Sequence, residues 1–306
     1  MGTVETPTFR ARSDETFAPT LVSIGSGGAA ARSALLSHVA APAPERRREF
    51  VANASLVERE DLTPSVARFI VAADVPIPQF EPGQYFSLGL PTGGGMLLRP
   101  YSTASPRGAR DALEFLVRRV PGGAFTPTLW NAAVGDRLWI GPPKGLFRLT
   151  PNDPRTHLFV SSGTGIAPFI SMLDELLQRR EIGDDGAQPE AQSGPHVVVA
   201  HGVSYAAELA YRDRLERDAS ANPRLAYVPT ISRPAAPENA GWVGRTGRVE
   251  SILADLCAQL LLDPASTVAY LCGNPEMIAA SRETLRRLGF PAGAVVHENY
   301  WAAPGA

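Results

Sequence analysis

The chain has 306 residues, 44% hydrophobic and 20% charged, with a net charge of −2 and a mean hydropathy of −0.06. That length and composition suit two soluble domains, and the near-zero charge excludes the concentrated basic surface of a nucleic-acid binder. Two cysteines, Cys257 and Cys272, exclude a disulfide framework or a four-cysteine zinc or iron–sulfur site built by this chain alone, so no metal is expected.

Residues 1–48 are rich in Ala, Gly, Ser and Pro, lack a sustained helix or strand period, and predict a disordered extension. The acids Glu5, Asp14 and Glu15 near its front argue against a transit peptide, and no apolar run reaches the roughly 18 residues of a membrane span. A cytoplasmic protein that engages no membrane is therefore expected. From 49 to 152 the texture is short apolar runs, SVARFIVAA, QYFSLGL, LEFLVRRV and DRLWIGP, parted by Pro and Gly clusters, which predicts an antiparallel β-barrel domain. From 153 to 306 apolar β-rich runs alternate with helical stretches. THLFVSS precedes PFISMLDELLQRR, HVVVAHG precedes AAELAYRDRLERD, and TVAYLCG precedes PEMIAASRETLRRLG, which predicts a parallel-sheet α/β domain. The polar stretch EIGDDGAQPEAQSGP reads as a surface loop. Residues 51–150 carry 10 basic and 8 acidic side chains, so the barrel is the basic lobe.

Several stretches carry chemistry. In RPYS, residues 99–102, Arg99 offers a fork for phosphate, Tyr101 an aromatic face and Ser102 a hydroxyl, although a strand end with an exposed arginine fits the same residues. In GGAFTPTLW, Thr126 is placed to cap a helix and meet an oxyanion at its start, and a plain capped helix remains the alternative. FVSSGTGIAPFISML is a strand, a Gly-x-Gly turn and a helix, the arrangement that admits a pyrophosphate, with Pro168 where the fingerprint has its third glycine. The second strand of this half ends at Ser204 without an acid to meet a ribose hydroxyl. Arg233 and Arg248 occupy loops where they would clamp a 2′-phosphate or stay solvated. Cys272 ends a strand at the ligand-binding edge of such sheets, although burial alone would explain it.

Taken in order, RPYS, GGAFT at 122–126, GTGIAP at 163–168, YAAELAY at 205–211, SRP at 232–234, TGR at 246–248, LCGNPEM at 271–277 and ENYW at 298–301 resemble the ferredoxin–NADP reductase family, in its bacterial branch. The resemblance implies FAD and NADP(H) as cofactors and ferredoxin or flavodoxin as the electron carrier, served by a monomer. Arg99 would hold the FAD phosphates, Tyr101 would stack on the isoalloxazine and Ser102 would bond near its N5. Leu116, Gly123, Ala124, Phe125 and Thr126 would complete the flavin site, and Tyr300 and Trp301 would cover it. Thr164, Ser204, Arg233, Arg248, Gly273 and Asn274 would bind NADP(H), with Cys272 and Glu298 beside the nicotinamide. Tyr101, Ser102, Cys272 and Glu298 thus form the implied catalytic set. Ser204 stands where the branch often has an arginine. A flavin or oxygenase acceptor, or a flavin-binding electron-transfer subunit, are the alternative functions. An acidic carrier is expected to meet the basic barrel.

Overall fold

The computed structural model describes residues 50–93, 95–181 and 197–300; the expectations for residues 1–48, for the loop after 181 and for Trp301 fall outside them. The described residues belong to one compact unit.

The first sheet comprises β1 (Ala54–Thr63), β2 (Val66–Ala73), β3 (Tyr85–Thr92), β4 (Gly95–Ser102), β5 (Ala112–Arg118) and β6 (Arg137–Ile140). All its pairings are antiparallel, in the order β4-β3-β6-β1-β2-β5. An isolated bridge between Thr103 and Phe115 brings the β4 end back to β5, and the Ala104 amide donates to the Glu114 carbonyl at 2.9 Å, closing the barrel there. Its filling is the inward set Leu56, Phe69, Phe86, Leu88, Leu113 and Phe115, all at most 1% exposed. Strand β1 has no counterpart among the predicted runs. Only Ala54 and Leu56 of it are buried, and its outer half, VEREDLT, turns charge to solvent, so the apolar alternation that marks a strand is missing.

The second sheet is parallel throughout, in the order β10 (Arg245–Thr246), β9 (Leu225–Ile231), β8 (Val197–Val203), β7 (Thr156–Ser162), β11 (Thr267–Gly273) and β12 (Val295–Asn299). Strands β8 and β11 are buried at every residue, as expected of central strands covered on both faces. On one face Phe159, Val199 and Tyr270 pack on α2 (Ala167–Glu181), with the rings of Phe159 and Phe169 stacked 4.7 Å apart. On the other, Leu158, Val198 and Leu271 meet Leu253 and Leu256 of α4 (Val249–Gln259) and Met277 and Ile278 of α5 (Pro275–Arg287).

The stretch AAELAYRDRLERD is not one helix. A 3-10 turn at Ala206–Glu208 stops, and α3 (Arg212–Ala221) starts afresh after Tyr211, whose φ of 61° is left-handed. The Tyr211 hydroxyl reaches across to Glu114 of β5 at 2.6 Å, a tertiary bond that stabilises a backbone conformation unfavourable for a tyrosine. Among the described residues, no helix is long and apolar enough to cross a membrane.

Candidate functional site

The register of the parallel sheet sets Cys272 of β11 beside Glu298 of β12 at the carboxyl edge. The last residue of β4, Ser102, arrives there from the barrel. Its hydroxyl donates to Glu298 Oε2 at 3.1 Å, although the two residues are 196 apart in sequence. The Tyr300 side chain packs against the core cluster that includes Cys272, with Ser102 and Cys272 near its phenol, and its amide donates to the Gly273 carbonyl at 3.1 Å. Four residues from the two sheets therefore converge. Burial raises the Glu298 carboxyl above its usual range, partly opposed by the Ser102 bond. Burial, and then Glu298, hold the Cys272 thiol well up and protonated. Burial likewise raises the Tyr300 phenol. With its thiol and phenol held neutral, the cluster is suited to positioning rather than to nucleophilic attack by Cys272.

Tyr101 is largely enclosed, and burial pushes its phenol up against the opposing charge of Arg99. Its ring lies 5.6 Å from that of Phe125. Arg99 is exposed, and one of its nitrogens donates to the Leu98 carbonyl at 2.8 Å; no ion pair engages it among the described residues, so the fork remains available to an anion. Gly122 has a φ of 73° with open space where a Cβ would stand. These features, an uncommitted guanidinium beside an aromatic face and an open glycine turn, suit the phosphates and ring of a flavin dinucleotide.

Thr126 departs from its predicted role. The helix α1 (Phe125–Trp130) begins one residue before it, with Ala124 at the cap position and no side-chain cap. The Thr126 hydroxyl instead accepts from the Val120 amide at 2.8 Å and donates to the Val120 carbonyl at 3.3 Å. It clips the Gly122–Gly123 turn from beneath and is spent on that task. Gly123 donates to the same Val120 carbonyl at 3.1 Å, Ala124 is exposed, and Leu116 is buried at 4% exposure in β5.

The Gly-x-Gly turn follows β7 as a 3-10 turn, Gly163–Ile166, that runs into α2. Thr164 is half-buried on it. A Cβ on Gly165 would stand 2.3 Å from the Cys272 carbonyl oxygen, so this glycine is required by close packing on β11. Gly273, with a φ of 135°, would place a Cβ 2.4 Å from Ser162 Oγ, and Ser162 Oγ accepts the Asn274 amide at 3.0 Å. Asn274 Oδ1 caps α5 by accepting the Glu276 amide at 2.7 Å. Gly273 and Asn274 therefore serve the turn's architecture.

Arg233 stacks over Tyr205, 5.4 Å to the ring, and donates to its hydroxyl at 2.7 Å, beside Ser204. Arg248 occupies the position before α4 without a side-chain cap bond. Because Thr246 pairs with Ile231, Arg233 and Arg248 each lie two residues beyond one register pair, on the same sheet edge. Arg248 is exposed and 3.7 Å from Glu250. Sequence reasoning missed Arg118, His201 and Glu208. Glu208 accepts from the Ser204 and Tyr205 amides, and its spacing of three residues from Tyr205 was the available signal.

The profile of the oxidoreductase FAD-binding domain matches residues 53–149, and that of the oxidoreductase NAD-binding domain matches residues 159–283. A ferredoxin–NADP reductase B of Sorangium cellulosum is 34% identical over 72% of this chain and 85% of its own length. The phenol hydroxylase P5 protein of Acinetobacter pittii is 31% identical over 76% of this chain, which spans 60% of that longer protein. A crystal structure of a ferredoxin NADP+ reductase from Neisseria gonorrhoeae with bound FAD and NADP superposes with a TM-score of 0.67 at 27% identity, covering 83% of this chain and 99% of that one. The chain is accordingly an oxidoreductase with FAD and NADP(H) as its cofactors, and it belongs to the ferredoxin–NADP reductase family.

Proposed function

We propose that the protein passes electrons between NADPH and a one-electron carrier, ferredoxin or flavodoxin, as a cytoplasmic monomer with residues 49–152 serving FAD and 153–306 serving NADP(H). The observation that carries the reading is the Ser102–Glu298 bond, which joins the end of a barrel strand to the ligand edge of the parallel sheet. When bound, FAD would supply the chemistry that couples two-electron hydride exchange with nicotinamide to one-electron transfer. Arg99 and the Gly122–Thr126 turn would grip its phosphates, while Tyr101 and Tyr300 would flank the ring. Ser102, supported by Glu298, would present one hydroxyl at the ring's reactive nitrogen. The protonated, neutral Cys272 would shape the nicotinamide's seat without competing as a nucleophile, and close packing there would exclude water. Hydride transfer is a positioning problem, so these residues orient and hold more than they exchange protons. Arg233, steadied by Tyr205, and Arg248 would meet the ribose 2′-phosphate.

A second acceptor, an oxygenase component, is favoured by the likeness to the phenol hydroxylase P5 protein. Anaerobic titration of the yellow holoprotein tests the core of the reading. Bleaching by NADPH at lower concentration than by NADH is expected, followed by reoxidation on adding ferredoxin or flavodoxin. A colourless protein that takes up no FAD would overturn it, and reoxidation only by an oxygenase partner would select the second acceptor.

A further inference from the structure

The two turns that frame the nucleotide edge, Gly163–Ile166 after β7 and Ser204–Tyr205 after β8, are held by three side chains that hydride transfer does not use. Glu208 is 5% exposed. Its Oε2 accepts from the Ser204 amide at 3.2 Å and the Tyr205 amide at 3.4 Å, and its Oε1 accepts from Arg118 Nη1 at 2.8 Å. Arg118 is the last residue of β5 and pairs with Val66 in the barrel. On the far side of its guanidinium lies the other turn. A Cβ built on Gly163 would stand 3.5 Å from Arg118 Nη2. Gly163 has a φ of 55°, and its carbonyl lies 2.9 Å from Nε2 of His201, a fully buried residue of β8. Since a carbonyl only accepts, Nε2 carries the proton and the tautomer is fixed.

We propose that Arg118 and Glu208, with His201 behind them, are positioning residues that set both nucleotide turns in register with barrel strand β5. The inference deepens the functional reading above and rests on it for the identity of the nucleotide. A buried carboxylate is tolerated only with its lone pairs engaged, and here two donors come from the turn and the charged one from the opposite sheet. Glu208 thereby converts the placement of the barrel into the placement of Ser204 and Tyr205, the residues beside Arg233. Without the guanidinium the turn keeps its sequence and loses its anchor. A nucleotide gripped at that turn would then reach the Ser102–Glu298 cluster from a looser starting point, and small misplacements are costly in a transfer governed by distance.

The test uses the full-length holoprotein as wild type, Arg118→Met, Arg118→Lys, Glu208→Gln and the Met–Gln double variant. Loss of one charged hydrogen bond predicts a rise of about tenfold or more in KM for NADPH in the Met and Gln variants. The double variant should be no worse than the poorer single one, because both remove the same link. Arg118→Lys should recover part of the loss, with FAD content and reduction by dithionite unchanged in every variant. Amide hydrogen exchange at Ser204 and Tyr205 gives a second readout that needs no turnover: protection should fall in Arg118→Met and return in Arg118→Lys. Wild-type KM together with wild-type protection in Arg118→Met would overturn the proposal. If NADPH fails to reduce even the wild type while protection still falls as stated, the functional reading is lost and the anchoring stands.

Discussion

Acidification should unfold this protein in part through His201. The side chain is fully buried, and desolvation lowers its pKa from 6.5 to about 4, against the opposing effect of its bond to the Gly163 carbonyl. The direction of linkage follows from that depression. The unfolded chain takes up a proton as pH falls through 6.5 while the folded one resists until about 4, so stability present above the unfolded value is lost across this window. At about 1.4 kcal/mol per pH unit the full loss is about 3 kcal/mol, of which about 2.5 kcal/mol has gone by about pH 4.5. Urea unfolding of wild type and His201→Gln, at about pH 7 and about pH 4.5, isolates this contribution. Glutamine keeps an N–H donor for Gly163 and cannot titrate, while the protein's carboxylates change equally in both. Wild type should lose about 2.5 kcal/mol more than the variant on acidification. Parallel losses, differing by less than about 0.5 kcal/mol, would refute the assignment of a neutral buried imidazole.

Other substitutions probe the rest of the site. Gly165→Ala drives a Cβ to within 2.3 Å of the Cys272 carbonyl and should cost about 1–3 kcal/mol in thermal or urea unfolding, whereas Gly93→Ala, with open space around it, should be near neutral. Thr126→Val removes both bonds to Val120 and should lower stability by about 1–3 kcal/mol and loosen FAD, read by unfolding and by flavin released on dilution. Glu298→Gln keeps an acceptor for Ser102 while removing a carboxylate whose pKa burial has raised. Because that raised value makes the native state lose stability as pH rises through it, the variant should melt higher than wild type at about pH 8, with the gain fading in acid. Its rate of bleaching by NADPH should fall, since the Ser102 hydroxyl then bonds to a weaker acceptor.

The architecture was readable because its strands announce themselves by two different textures. Runs such as HVVVAHG and TVAYLCG are apolar at almost every position and became the buried centre of the parallel sheet, while SVARFIVAA, with apolar and polar residues more mixed, became a barrel strand. Strand β1 escaped because a strand paired by its backbone needs no apolar signature along its outer half. In the site, the convergence of Ser102, Cys272, Glu298 and Tyr300 followed from ordered motifs, and the structure brings them together. What the sequence does not show is local chemistry decided by partners far along the chain. Thr126 has every property of a helix cap and is diverted to Val120 because the preceding turn folds over it. Gly273 and Asn274, expected as ligand contacts, also hold the turn through Ser162, 112 residues before Asn274, a role no local pattern shows. Tyr211 interrupts a helical pattern for the sake of a bond to Glu114, which no periodicity encodes.

The span of 196 residues between Ser102 and Glu298 has a bearing on biosynthesis. Domains tend to fold as they leave the ribosome, beginning with the N-terminal one. A barrel completed early presents its serine with no carboxylate to receive it, because Glu298 lies on β12, which follows the other five strands of the parallel sheet in the chain. The bond that joins the two sheets is thus among the last contacts the growing chain can make, whatever the state of the barrel before it.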